Sequence, residues 1–179
     1  MFAKAISFAL LVTGVLAAPT CTAPEEATKT VPLTGVTHSV IAGFNGLNFE
    51  PNNVVAEIGD VVQWEFLPAN HSVAQSSFGN PCQPLADGSG FFPGFEFAVT
   101  EGESKNVFQI VVESHRPIWY YCPQTTGNHC QRGMVGVINQ DFNNPAFSLA
   151  RHMELAAEAD TSIIPETIQG GEVLVNPNP

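Results

Sequence analysis

Cys122 and His129 are separated by the hexapeptide PQTTGN, and Met134 follows His129 after four further residues. A thiol, an imidazole and a thioether thus fall on one short stretch, "CPQTTGNHCQRGM". With a second imidazole they make a His₂Cys set with a weak axial Met, the donor set that suits copper in one-electron transfer. The second imidazole has a candidate in His71, within "LPANHSVAQSSF", where a kink at Pro68 can turn the chain inward. Taken singly, each signal is ordinary. A Met before "VGVI" reads as core, a secreted His as exposed, a secreted Cys as a half-cystine. Their joint order, His…Cys-x6-His-x4-Met, carries the reading.

Cys130 adjoins His129, and neighbouring residues in extended chain point to opposite sides. If His129 faces a metal, Cys130 faces away and is free to pair, with Cys82 in "GNPCQPL" as the natural partner. Four cysteines still allow three complete pairings, and sequence alone does not choose among them. A bridge that consumed Cys122 would leave a disulfide-stapled module without a thiolate site. Cys21 stays unassigned, as a free thiol or a link between chains.

Asn70 opens "NHS", the one ordinary Asn-x-Ser/Thr sequon. Because its middle residue is a proposed ligand, we expect Asn70 to be mostly unglycosylated. Its side chain, or that of Ser72, should hydrogen-bond the neighbouring ligand loop and orient His71. His38, His115 and His152 lack partner spacing and are expected outside the site.

The elements that must position these residues are short strands. "HSVIAGF", "NVVAEI", "DVVQWEFL", "HSVAQSSF", "NVFQIVV", "IWYYC" and "MVGVIN" are rich in Val, Ile and aromatics. Turn signals such as "GFNG", "EIGD" and "TEGES" lie between them. Such a run predicts an antiparallel sandwich or barrel spanning 37–140. The stretch 79–94 reads as a structured loop. In "NNPAFSLARHMELAAEA" an Asn cap and Pro145 at the first helical position predict one helix within 141–160. Phe147, Leu149, Met153 and Ala156 or Ala157 fall on one side of it. Residues 161–179 read as a tail.

The first 17 residues, with one Lys, an apolar run and small residues before Ala18, read as a secretory signal peptide. Residues 18–36 read as a flexible lead-in. Removing those 17 of 179 residues leaves 162, enough for one domain with a core. It also removes Lys4, so the six basic residues fall to five against 17 acidic ones, a net charge near −12. Scattered acids of this kind make a solvated surface and argue against nucleic acid or an anionic membrane as partner. Secretion means an oxidising compartment, where cysteines pair.

The segments "GDVVQWEFLPANHSVAQSSF", "NPC" and "IWYYCPQTTGNHCQRGMVGVIN" resemble fungal secreted cupredoxin-like proteins, which are similar to the plant phytocyanins. The resemblance implies an all-β Greek-key sandwich of the cupredoxin type, followed here by a short C-terminal helix. It implies one copper ion, Cu(I)/Cu(II), on His71, Cys122, His129 and Met134, and a Cys82–Cys130 disulfide. Phytocyanins usually place four residues between the ligand Cys and His, whereas this chain has six. The resulting expectation is a secreted, monomeric electron-transfer or copper-holding protein. It would serve an unidentified redox partner or cell-wall component and carry out no substrate chemistry. The alternative is a cell-wall or adhesion-type sandwich with a non-redox role. A multicopper oxidase needs His-x-His pairs, and the five histidines here form none. A copper polysaccharide oxygenase needs a mature N-terminal His, where this reading puts Ala18.

Overall fold

The computed structural model describes residues 31–179; the stretch read as a signal peptide and Cys21 lie outside them. Among the described residues nine strands form two sheets. The first sheet holds β1 (Thr37–Ala42), β2 (Phe49–Glu50), β4 (Val61–Phe66), β6 (Asn106–Val111) and β9 (Glu172–Val175), in the order β2-β1-β4-β6-β9. The second holds β3 (Asn53–Val54), β5 (Ala74–Ser76), β7 (Ile118–Tyr121) and β8 (Val135–Ile138), in the order β3-β8-β7-β5. The fold is the expected all-β sandwich with one short helix. Each of the seven stretches read as strands overlaps one.

The pairing is mixed, however, and not wholly antiparallel. β1 lies parallel to β4 over six residues, and β3 lies parallel to β8. The chain reaches β4 only after β2 and β3, so β1 and β4 can run in the same direction as neighbours. Local alternation shows which face of a strand is buried, and it carries no information about partner direction.

Alternation decides which side chains enter the sandwich. In β4, Val62, Trp64 and Phe66 are buried while Val61, Gln63 and Glu65 are half-buried, the period of two that a one-faced strand demands. Between the sheets Trp64 meets Tyr120 edge-on at 5.3 Å and Phe108 at 5.8 Å. The loop 79–94 is structured, as expected, and it also contributes to the core. Phe91 packs 5.4 Å from Trp64. A second apolar layer lies on the outer face of the β3-β8-β7-β5 sheet, where Trp119, Tyr121, Val135 and Val137 meet Leu149, Ala156 and the Cys82–Cys130 pair.

Three sequence expectations are corrected here. Pro145 starts a 3₁₀ turn (Pro145–Phe147), and the helix α1 (Leu149–Ala157) begins after it, capped by Ser148, whose hydroxyl accepts from Arg151 N. The buried face of α1 is Leu149, His152 and Ala156, while Phe147 and Met153 are exposed. His152 tolerates burial because its Nδ1 lies 3.0 Å from the Phe78 carbonyl and its ring lies against Trp119. Residues 161–179 are no loose tail. Gln169 and Phe92 exchange backbone hydrogen bonds, Tyr121 donates to the Ile163 carbonyl, and β9 pairs with β6. Gly171 permits that docking. Its φ is +66°, and a Cβ there would lie 2.5 Å from the Phe108 ring.

The lead-in is likewise fastened at its end. Thr34 donates to Asp60, whose carboxylate also pairs with His38 at 2.8 Å and accepts the Glu57 N–H. These partners, Thr34 foremost, hold the Asp60 carboxyl down at about 2.

Candidate metal centre

β4 ends at Phe66, and the chain then turns outward through Pro68, Ala69 and Asn70, all exposed, before entering the protein at His71. Ala69 sits at φ +116° and bridges to Val99. The sharp return at this point drives the His71 ring inward until it is 1% exposed. Its Nδ1 is buried and without a hydrogen-bond partner, an arrangement that costs free energy unless something else meets it.

β7 ends beside Cys122, whose N–H donates to the Met134 carbonyl across the sheet. Residues 125–128 bulge into solvent, with Asn128 in the left-handed region at φ +53°. The chain then folds back, so that Met134 N donates to His129 O. This return places Nδ1 of His129 3.4 Å from Sγ of Cys122. The rings of His71 and His129 lie 4.9 Å apart. One donor atom from each of His71, Cys122 and His129 falls within 4.8 Å of the other two, and all three residues are buried. Met134 is fully buried in the inner core on the segment that pairs with Cys122.

The electrostatics favour the neutral forms. Burial pushes the Cys122 thiol up to about 11, although the backbone N–H groups of Ser72 and Gln124 favour its thiolate. Burial, with His129 nearby, lowers His71 to about 4 against the Pro68 carbonyl. Burial and the Arg132 charge lower His129 as well. Two neutral imidazoles and one thiol converge on a buried site. A cation that accepts thiolate and imidazole nitrogen matches this donor set.

The two cysteines divide as expected. Cys82 and Cys130 form a disulfide, and Cys122 is free. The other histidines lie apart from the cluster: His38 against Asp60, His152 on the buried face of α1, and His115 at the surface 3.8 Å from Glu57.

The expected supporting contacts take a different form. The hydroxyl of Ser72 donates to the Gly94 carbonyl, outside the 122–129 loop, and it is the Ser72 backbone N–H that favours the thiolate. The Asn70 side chain is exposed and makes no hydrogen bond among the described residues. Its carbonyl instead accepts from the Gln124 side chain at 3.2 Å, which ties the His71 turn to the Cys122–His129 loop. Backbone groups do this work because the sharp turn leaves the Asn70 side chain pointing outward.

Sequence reasoning passed over Gly43. A Cβ at this position would lie 2.5 Å from His71 Nε2. The residue was legible only as part of the turn "GFNG"; its place beside His71 follows from the parallel β1–β4 pairing.

No family model matches the chain. Over 132 residues it is 30% identical to the "Probable GPI-anchored cupredoxin-1" of Arthroderma benhamiae, covering 74% of this chain and 64% of that protein. Over 153 residues it is 29% identical to an "Extracellular serine-rich protein" of the same organism, covering 83% of this chain and 57% of that protein. The chain therefore spans less than two thirds of each of these relatives. Among solved structures, native pseudoazurin from Hyphomicrobium denitrificans aligns at a TM-score of 0.40 and 19% identity, covering 69% of this chain and 98% of its own.

Proposed function

We propose that this chain, a cupredoxin-like protein, is secreted and binds one copper ion through His71, Cys122, His129 and Met134. It passes single electrons through that ion and has no substrate chemistry of its own. The observation that carries the reading is the buried cluster of His71, Cys122 and His129, with the Nδ1 of His71 unpartnered. Copper supplies a one-electron Cu(I)/Cu(II) couple to such a donor set.

The protein's own residues supply the rest. His71, on the turn after β4, and Cys122, at the end of β7, are set by strand ends that the sheets hold fixed. Met134 would supply the thioether donor. Ser72 N–H and Gln124 N–H point at Cys122 and stabilise the charge it acquires when it loses its proton. His129 is 6% exposed against 1% for His71, which makes its ring edge the natural contact for a redox partner. Extracellular placement is supported by the wording attached to both relatives, one GPI-anchored and one extracellular.

Voltammetry of the copper-loaded protein tests this reading. A reversible one-electron couple that is lost in His71→Ala supports it. A protein that binds copper without a reversible couple would instead be a sandwich module that merely holds the metal.

A further inference from the structure

We propose that Asn70 is an N-glycan acceptor and that its glycan overhangs the mouth of the His71–Cys122–His129 cluster. The inference rests on the secretion proposed above. The sequon is Asn70-His71-Ser72, and its acceptor side chain is exposed and makes no hydrogen bond among the described residues. This reverses the expectation drawn from sequence, which had Asn70 mostly unglycosylated and its side chain, or that of Ser72, bonded to the ligand loop. The structure holds His71 by other means: the turn at Ala69, the Ser72 hydroxyl on Gly94 and the Gln124 bond to the Asn70 carbonyl.

Glycosylation precedes folding, so the later burial of Ser72 does not oppose it. The side-chain nitrogen of Asn70 attacks the anomeric carbon of a lipid-diphosphate oligosaccharide. The N–C bond forms, the C–O bond to diphosphate breaks, the lipid diphosphate leaves and the amide loses one proton. His71 is then a buried residue next in sequence to a glycosylated one. The chain path fixes where the sugar must stand, because Asn70 is exposed, His71 is buried, and the Gln124 bond holds both beside the exposed stretch 125–128. A hydrophilic chain rooted there shields the side of the site nearest His129. Small redox reagents still reach the metal, while approach by a protein is restricted.

The full chain is secreted from a glycosylating eukaryotic host and compared with Asn70→Gln. The peptide holding Asn70 is read by mass spectrometry before and after peptide N-glycosidase in heavy-oxygen water. We expect most Asn70 to be converted to labelled Asp, with no glycan on Asn70→Gln. Unmodified Asn70 in the secreted protein overturns the acceptor assignment. We further expect Asn70→Gln to react severalfold faster with cytochrome c and at an unchanged rate with ascorbate. Equal cytochrome c rates on glycosylated and glycan-free protein overturn the shielding. Glycan mapping needs no metal, so a colourless protein with an occupied Asn70 would sink the copper reading alone.

Discussion

The sulfur of Cys122 lies 3.4 Å from Nδ1 of His129, although seven positions separate them in the chain. The hexapeptide between them accounts for the approach. Its outer residues are solvated, Asn128 takes a left-handed conformation, and the return is closed by Met134 N–H on the His129 carbonyl. The loop, two residues longer than is usual in phytocyanins, still delivers its imidazole to the thiol. Donors already together would need little movement when a bound ion changed charge, as the proposed one-electron exchange requires.

Protons should report the donor set. Near pH 7 both histidines are neutral, His71 having been lowered to about 4, and Cys122 at about 11 keeps its proton. Loading metal should therefore expel one proton per ion, and apparent affinity should rise about tenfold per pH unit across neutrality. Below about pH 4, His71 takes up a proton of its own and the dependence steepens. Calorimetric titration in buffers of different ionisation enthalpy counts these protons. A count of zero, or of two or more, at pH 7 contradicts the assignment.

Gly43 should prove necessary to the site for a steric reason. Gly43→Ala puts a methyl 2.5 Å from His71 Nε2, whereas at Gly46 nothing lies within 4 Å of a Cβ. Both glycines have positive φ, +94° and +127°, so each substitution should cost about 1 kcal/mol of backbone strain. Only Gly43→Ala should also displace His71 and weaken copper binding, by about tenfold or more. Urea unfolding and copper titration of the two variants separate the strain from the clash. Equal copper affinities would show that the His71 ring yields freely.

What the sequence made legible follows from the kind of signal each feature leaves. The stretch "DVVQWEFL" is read as a strand because one face turned inward imposes alternation, borne here by Val62, Trp64 and Phe66. His71, Cys122, His129 and Met134 stand out because metal donors are few and their spacing is constrained by turns. β9 escaped because "EVLV" is an edge strand whose four residues are all exposed, so burial leaves no pattern on it. His152 was assigned to no face of α1 because its burial depends on the Phe78 carbonyl, 74 residues away. Gly43 and the amide groups aimed at Cys122 are invisible for a similar reason. Their role depends on which strands become neighbours, and a backbone N–H looks the same at every position.

The two cysteine roles should come apart on substitution. The Cys82–Cys130 bridge closes a separation of 48 residues and lies in the outer apolar layer under α1. Cys130→Ser should lower stability by about 3 kcal/mol while leaving copper colour in the folded fraction. Cys122→Ser should abolish the colour and change stability much less. Denaturant unfolding with absorption readout compares the pair. Loss of colour in folded, copper-loaded Cys130→Ser would mean that the bridge, too, is needed to form the copper site.

The visible spectrum of the Cu(II)-loaded protein tests the central claim most directly. Thiolate bound to Cu(II) absorbs intensely in the visible, so the wild type should turn blue or green at one copper per chain. Cys122→Ser, equally loaded, should not. A wild type that stays colourless at full Cu(II) occupancy, with Cys122 shown to be reduced, would contradict the account.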